Sequence, residues 1–355
     1  MGILIEKEHT SRNNSEYTEK AAIENQHILS IIVPVYNEET VIIEFQNRLR
    51  NVLDGLSMTT EIIYINDGSN DTTLEVLDIL RKQDDRIYLL DLSRNFGKEL
   101  AMTAGLDHAC GDAVVIIDAD LQDPPELIPD MLDAWQQGFD VVYMKRRSRK
   151  GETWFKRLTA YGFYKLISKL GKVKIPENVG DFRLMDRRAV KALCSLREEN
   201  RFMKGLFAWV GYSQKALLYD RDKRFAGETK WNYFKLWTLS LEGLTSFSTA
   251  PLKLASMLGL SIAGGAFFYG LWIIINTILF GESVRGYPTM MVVILFLGGV
   301  QLITTGILGE YLGRMFMETK QRPLYLLKGN TPARSTQKIK ASKIRASKIN
   351  NTNHE

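Results

Sequence analysis

Two long uncharged runs near the C-terminal end limit most strongly what this chain can fold into. Residues 254–280 and 287–309 contain no Asp, Glu, Lys or Arg. Each run exceeds the roughly 20 apolar residues that a helix needs to cross a bilayer. The alternative, a buried pair of core helices, rarely keeps such a length without one charge. We therefore predict two transmembrane helices at about 254–280 and 287–311, joined as a hairpin by a short link.

The charges that flank this hairpin predict its orientation. The link contains one basic residue, Arg285, whereas several basic residues lie on the other side of each run: Lys230, Lys235, Lys253, Arg314, Lys320, Arg322 and Lys328. Basic residues concentrate on the cytoplasmic side of a membrane. The first 27 residues contain no apolar segment of the kind found in a cleaved signal peptide. Both termini and the large N-terminal part are therefore expected in the cytoplasm.

The N-terminal part alternates between strand and helix patterns. Strands are predicted at 29–35, 61–65, 87–92, 113–117 and 141–143, and helices at about 38–56, 72–82, 98–109 and 126–137. Such alternation is typical of an α/β domain with a mostly parallel sheet covered on both faces. In open sheets of this kind, ligands bind at the edge formed by the carboxyl ends of the strands.

Two carboxylates stand where one of these strands ends. Asp118 and Asp120 occupy alternate positions, so in a strand they would share one face. Mg²⁺ and Mn²⁺ prefer oxygen ligands, and such an ion would neutralise the diphosphate of a nucleotide. Gln122 would add an amide oxygen. The alternative is that Asp120 and Asp123 are ordinary turn residues.

Two further loops follow predicted strands, at Pro34–Glu39 and Asn66–Asp71. Asp67 is a candidate to accept a hydrogen bond from a base or a ribose. Asn37 and Asp71 are better interpreted as helix caps, and Gly68 as a turn residue. The chain lacks a G-x-G-x-x-G motif after a strand and a complete P-loop, which argues against a dehydrogenase or an ordinary NTPase.

Other residue types argue against further chemistry. None of the histidines, His9, His27, His108 and His354, is assigned to catalysis. The two cysteines, Cys110 and Cys194, have no zinc-site spacing and are interpreted as packing residues. The basic tail after residue 329 has no interleaved aromatic residues, so we expect it to contact anionic lipid and not nucleic acid.

Several motifs together resemble a known family. Residues 33–38 (VPVYNE), 66–69 (NDGS) and 118–120 (DAD) resemble family 2 glycosyltransferases with the GT-A fold. Residues 94–99, 118–124, 180–185 and 201–205 look like the polyprenyl-phosphate branch, which includes dolichyl-phosphate mannose synthases. Residues 235–237, 241–249 and 309–314 are similar to bacterial bactoprenol glucosyltransferases. The resemblance covers about residues 28–328.

The resemblance implies an activity and a location. The enzyme would transfer glucose from UDP-glucose to undecaprenyl phosphate with inversion, using Mg²⁺ or Mn²⁺, at the bacterial inner membrane. The product would serve O-antigen or other envelope glycan modification. Alternatives are the same chemistry with aminoarabinose, an N-acetylhexosamine or mannose, or a non-catalytic sugar-nucleotide sensor. A processive synthase would need a Gln-x-x-Arg-Trp motif and more spans, and the chain has neither.

The resemblance and the chemistry together assign roles to residues. Donor binding is assigned to Pro34, Tyr36, Glu38, Asp67, Lys98 and Asp118, and the metal to Asp118, Asp120 and Gln122. Catalysis is assigned to Asp118, Asp120, Asp181 and Arg183, and phosphate binding to Arg183, Arg201, Lys204, Arg224 and Lys230. Asp181 acts either as a base or only as an orienting group, because a phosphate acceptor is already anionic near neutral pH.

The predicted organisation follows from these assignments. A polar tail (1–27) precedes a Rossmann-like GT-A catalytic domain (28–230), interfacial amphipathic helices (231–250), the transmembrane hairpin (251–314) and a basic cytoplasmic tail (315–355). The sequence Gly309-x-x-x-Gly313 would allow close helix packing and a homo-oligomer.

Overall fold

The computed structural model describes residues 27–147, 176, 179–199, 201–220, 250–280 and 286–333. Eight strands lie in these ranges: β1 (Ile28–Val35), β2 (Thr59–Asn66), β3 (Ile87–Leu92), β4 (Ala113–Ile116), β5 (Val141–Arg146), β6 (Val179–Asp186), β7 (Gln214–Tyr219) and β8 (Leu327–Thr331). The α-helices are α1 (Ile42–Asp54), α2 (Thr73–Gln83), α3 (Lys98–His108), α4 (Ile128–Gln136), α5 (Arg187–Ser195), α6 (Met203–Trp209), α7 (Ala250–Phe280) and α8 (Tyr287–Thr319).

The strands form one mixed sheet in the order β7-β5-β6-β4-β1-β2-β3-β8. The pairs β4-β1, β1-β2 and β2-β3 are parallel, as predicted. β6 lies between β4 and β5 and is antiparallel to both. All five predicted strands are present, but the sheet as a whole is more mixed than the sequence pattern indicates.

Helices cover both faces of the sheet and bury two apolar cores. On one face, Phe45 and Leu49 of α1 pack with the side chains of β1 and β2. On the other, α3 lies so close to the sheet that a Cβ on its Gly105 would come within 2.5 Å of Ile32 Cγ2. This close approach fixes the position of α3, and therefore of its first residue, Lys98, at the carboxyl edge of the parallel strands.

The C-terminal part of the chain differs from the predicted tail at 315–355. Leu327–Thr331 adds β8 to the sheet, antiparallel to β3, with Leu90 opposite Asn330. Just before β8, the Ser93 N–H donates to the Leu326 carbonyl at 2.8 Å. Just after it, Ala333 is buried. Part of the predicted tail is therefore an edge strand of the catalytic sheet.

The two uncharged runs of the sequence lie in α7 and α8, which contact each other. α8 continues to Thr319, beyond the predicted end near residue 311. Within the described ranges, neither of these nor any other helix combines the length and the apolar character that crossing a membrane requires.

Removal of β8 tests its contribution to the fold. A chain that ends at Gln321 should unfold about 5 °C or more below a chain that ends at Ser335. The truncation removes the edge partner of β3 and the buried side chain of Ala333. Thermal unfolding of both proteins in the same detergent measures this. Equal unfolding temperatures would show that β8 does not stabilise the sheet.

Candidate active site

Two loops at the carboxyl edge are tied together by side chains. Asn37 follows β1 with φ 55°. Its N–H donates to Ser69 Oγ at 3.0 Å, and its Oδ1 accepts from the Asn70 N–H at 2.9 Å. Asn37 therefore links the β1 and β2 loops and does not cap α1, as the sequence interpretation held. Asp71 accepts from the Thr73 N–H at 3.1 Å just before α2, but the N-cap position of this helix is Thr72.

Asp67 holds the loop that leads into α3. Its two carboxylate oxygens accept from the Phe96 N–H at 2.7 Å and the Gly97 N–H at 3.0 Å. Burial raises the pKa of Asp67, although these two hydrogen bonds oppose the shift. Next to it, Gly68 has φ 65°, and a Cβ there would lie 2.5 Å from the Arg94 carbonyl carbon. Asp67 thus positions Lys98, and its contact with a base or ribose stays a prediction.

Lys98 joins two carboxylates at this edge. Its Nζ lies 2.6 Å from Asp118 Oδ1 and 2.6 Å from Asp181 Oδ2. The pairing of β4 with β6 explains why these carboxylates meet. Ile116 pairs with Arg183, and this register, continued by two residues along each antiparallel chain, sets Asp118 opposite Asp181. The structure therefore brings together three of the residues that the sequence assigned to donor binding and catalysis.

The charges around Lys98 shift several pKa values. Burial raises the pKa of Asp118, with Asp181 and Asp123 adding to the shift and Lys98 opposing it. Burial also disfavours ionised Asp181, but Lys98, Lys204 and Arg183 outweigh it and lower the pKa of that carboxyl. Burial disfavours charged Lys98, yet Asp118 and Asp181 raise its pKa. The pKa shifts therefore favour charged Lys98 and ionised Asp181, whereas burial works against ionisation of Asp118.

Arg183 lies beside this cluster but is occupied by the protein itself. It is 4% exposed. Its Nη2 donates to the Gly180 carbonyl at 2.8 Å, and its guanidinium lies 3.5 Å from the centre of the Phe207 ring. Burial lowers the pKa of Arg183 to about 10 despite the opposing effect of Asp181. Its predicted contact with phosphate stays a prediction.

The predicted metal ligands do not share a strand face. β4 ends at Ile116, and Asp120 lies in a turn in which its Oδ1 accepts from the Gln122 N–H at 3.1 Å. Leu121 within this turn has φ 60°. The premise of alternate strand positions is therefore wrong, because the chain turns between the two carboxylates. In the described part of the chain, no three His, Cys, Asp or Glu side chains are arranged to hold a metal ion.

Arg201 lies apart from the Lys98 cluster. It is buried, and its guanidinium donates to the carbonyls of Leu193 and Leu196 at the end of α5. Helix ends have unpaired carbonyl groups that a cation satisfies well. Arg201 therefore caps the end of α5, and its assignment to phosphate binding stays a prediction.

The remaining predicted residues are placed as follows. Pro34 is buried in β1, and Tyr36 and Glu38 are half-buried in the loop that follows. The Glu38 N–H donates to Thr73 Oγ1 at 2.9 Å. Arg224 and Lys230 lie outside the described residues. A cleft of about 730 Å³ near Asp107, between α3 and the end of α8, contains none of the predicted site residues.

Glu99 is a residue that the sequence assignment missed. Its Oε2 accepts from the Met203 N–H at 3.3 Å, which links the start of α3 to the start of α6. Burial and the nearby Asp181 raise the pKa of Glu99 to about 7, against the opposing effect of Lys98 and Lys204. Its position directly after Lys98 in the 94–99 motif was the available signal.

The raised pKa of Glu99 predicts a pH-dependent gain from its removal. Because the folded pKa lies above the ordinary value of 4.5, ionised Glu99 costs stability as the pH rises from about 4.5 through 7. Glu99→Gln should therefore stabilise the protein at pH 8, by up to about 3 kcal/mol, and change little at pH 4.5. Thermal unfolding at both pH values measures the difference. Glu75→Gln, at an exposed position of α2, is the control. An equal gain in stability from Glu99→Gln at both pH values would contradict the prediction.

Comparison with known proteins identifies the family. Residues 30–194 match glycosyl transferase family 2, and residues 250–315 match the GtrB C-terminal hairpin. A solved structure of glucosyl-3-phosphoglycerate synthase from Mycobacterium tuberculosis with Mn²⁺, UDP-glucose and phosphoglyceric acid is more distantly similar. It is 21% identical, covers 62% of this chain and 78% of that one, and has a TM-score of 0.43.

Three relatives are similar over most of their length. An uncharacterized glycosyltransferase of Synechocystis sp. is 54% identical over 84% of this chain and 94% of its own. A prophage bactoprenol glucosyl transferase homolog of Escherichia coli is 50% identical, and the bactoprenol glucosyl transferase of Shigella phage SfX is 51% identical, each over 84% of this chain and 98% of its own. With this identity across most of both chains, the protein belongs to glycosyl transferase family 2 and is a transferase with the GT-A α/β sheet.

Proposed function

We propose that this enzyme transfers glucose from UDP-glucose to undecaprenyl phosphate and so makes a lipid-linked donor for O-antigen or other envelope glycan modification. The observation that carries the proposal is the cluster of Lys98, Asp118 and Asp181 at the carboxyl edge of the parallel strands. The relatives from Escherichia coli and phage SfX are named bactoprenol glucosyl transferases, and this supports glucose as the sugar and bactoprenol (undecaprenyl) phosphate as the acceptor.

The acceptor explains why the site needs no strong base. A phosphate monoester loses its second proton with a pKa near 6, so its oxygen is already anionic near neutral pH. The pKa of Asp181 is lowered, with Lys98 and Lys204 as the largest favourable causes. A carboxylate with a lowered pKa is a weak base. Asp181 therefore orients the cations of the site and takes no proton from the acceptor.

A divalent cation, Mg²⁺ or Mn²⁺, fits the residues at this edge. Asp118, Asp120 and Gln122 would hold it, and Mg²⁺ commonly binds one or two carboxylates together with substrate phosphates. Asp181 Oδ1 is buried, and no described group donates to it. When bound, the ion would neutralise the charge that develops on the departing UDP.

Cationic side chains would hold the two phosphate groups close together. Lys204 attracts Asp181 from α6, and Arg183 lies on β6 beside it. Positioning and electrostatic stabilisation are the main terms in transfers between phosphate groups. Arg224 and Lys230 join this set from the sequence resemblance alone. Arg201 belongs to this set by the sequence assignment, although its guanidinium donates to carbonyl groups at the end of α5.

The helices α7 and α8 form the proposed membrane anchor. Support comes from the uncharged runs at 254–280 and 287–309 and from the matched family hairpin at 250–315. The basic flanks favour cytoplasmic termini and an inner-membrane location. The aromatic segment 231–250 would lie in the interface, and Gly309-x-x-x-Gly313 would support a homo-oligomer.

The chief alternative is another donor sugar, because pocket shape determines the sugar whereas the charged cluster determines the chemistry. Mannose, an N-acetylhexosamine and aminoarabinose are the candidates. A non-catalytic sugar-nucleotide sensor would not explain why Lys98, Asp118 and Asp181 are clustered at the strand ends.

A donor panel tests the activity. Purified protein with Mg²⁺ and undecaprenyl phosphate should form lipid-linked sugar from UDP-glucose, and not from UDP-N-acetylglucosamine, UDP-mannose or GDP-mannose. Asp120→Asn should lower the rate about 100-fold or more through the loss of a metal ligand, whereas Asp130→Asn, on the exposed side of α4, should leave it unchanged. Transfer of another sugar would replace glucose in the proposal, and no transfer from any donor would favour the sensor.

Cysteine labelling tests the membrane topology. In intact cells, Ser283→Cys in the link should react with a membrane-impermeant maleimide, whereas Ser335→Cys should react only after permeabilisation. The link is expected outside because it contains one basic residue, Arg285. Labelling of both positions only after permeabilisation would rule out the hairpin.

A further inference from the structure

We propose that Lys98 is an internal counter-ion. Its ammonium bridges Asp118 and Asp181 until a divalent cation, held by Asp118, Asp120 and Gln122 as proposed above and facing Asp181, replaces it. The lysine then binds the diphosphate of the donor. The inference rests on the proposed function, since it assumes a metal-dependent transfer from a nucleotide sugar. It adds a second state for Lys98 and an order of events at the site.

The ammonium of Lys98 lies where a metal ion could contact both carboxylates, and it is not a solvated charge on the surface. Its Nζ lies within 2.7 Å of both oxygens of Asp118 and 2.6 Å from Asp181 Oδ2. Among the ion pairs of the described residues, Lys98 supplies the cation for both carboxylates. An ammonium that contacts three carboxylate oxygens imitates part of the coordination shell of a hard metal ion.

The burial of the two carboxylates makes a cation obligatory. The side chains of Asp118 and Asp181 are 21% and 11% exposed. Two carboxylates this close and this buried repel each other strongly when no cation lies between them. Lys98 therefore leaves most readily when another cation replaces it. The donor diphosphate, which is itself anionic, binds next to these carboxylates most readily after that replacement.

A divalent ion is a better match for the pair than the lysine. Two carboxylates with one ammonium leave a net charge of −1, whereas two carboxylates with one divalent cation are neutral. Asp181 Oδ1 is buried and accepts no hydrogen bond from the described residues, so the lysine leaves one oxygen unsatisfied. The exchange would satisfy this oxygen and complete the charge balance.

Lys98 is also able to leave without disturbing the fold. Its side chain is 41% exposed, and it is the first residue of α3, where its backbone N–H has no partner within the helix. Its flexible four-carbon stem carries a point charge that binds phosphate readily. The backbone stays fixed meanwhile, because Asp67 holds the N–H groups of Phe96 and Gly97.

Binding of Mn²⁺ alone tests the proposal on full-length protein in detergent. Lys98→Met should bind Mn²⁺ about tenfold or more tightly than the wild type in the absence of nucleotide, because the competing ammonium is gone. In the presence of Mn²⁺, the same variant should bind UDP about tenfold or more weakly. Lys82→Met is the matched control, since it removes an exposed ion pair with Asp78 on α2. Electron paramagnetic resonance of free Mn²⁺ measures the first constant and calorimetry the second.

A measurement on the wild type keeps the test valid if Lys98→Met does not fold. Acetylation with acetic anhydride, followed by mass spectrometry, should label Lys98 slowly in the metal-free protein, faster with bound Mn²⁺, and slowly again with Mn²⁺ and UDP. Lys82 should be labelled equally in all three states.

The outcomes separate this inference from the proposed function. Equal or weaker Mn²⁺ binding by Lys98→Met, or labelling of Lys98 that bound Mn²⁺ leaves unchanged, would overturn the counter-ion role alone. Mn²⁺ that binds neither protein, even with UDP, would overturn both the counter-ion role and the metal dependence proposed above.

Discussion

The active site depends on one electrostatic constraint: two carboxylates that face each other at the edge of a sheet need a cation between them. The antiparallel register of β4 and β6 sets Asp118 opposite Asp181, and Lys98 lies between them. The surrounding structure serves this arrangement. Gly105 lets α3 approach the sheet, and Asp67 fixes the turn before Lys98. The fold thus brings two carboxylates together and supplies the cation that neutralises them.

The parts of the fold that the sequence predicts best are the strands that are buried on both faces. β1 to β4 are short apolar runs because both of their faces are covered, and such runs are easy to recognise. β6 contains the motif at 180–185 but has no strand pattern, because Asp181 and Arg183 interrupt its apolar residues. β8 has the sequence Leu-Lys-Gly-Asn-Thr, which carries no strand signal, and it forms only because β3 offers an open edge.

The candidate site was also only partly predictable from the sequence. Asp118, Asp181 and Lys98 were identified from their motifs, but their mutual contact depends on a strand register that no local pattern encodes. The helix-capping contacts of Arg201 could not be predicted, because a cation that caps a helix and one that binds phosphate look alike in sequence. The strand position predicted for Asp120 is wrong because the chain turns at Leu121. This residue has a positive φ, but it is not a glycine, so the sequence does not indicate the turn.

The position of β8 has a consequence for the whole molecule. β7 and β8 are the two opposite edges of the sheet, and the chain between them contains α7 and α8. With strands about 4.8 Å apart, these edges are separated by roughly 30 Å. The helical pair is therefore inserted within the sequence of the sheet domain, because one edge strand precedes it and the other follows it. Seven residues, 320–326, join α8 to β8. A chain of that length spans at most roughly 30 Å, so this margin of the sheet stays near the end of α8.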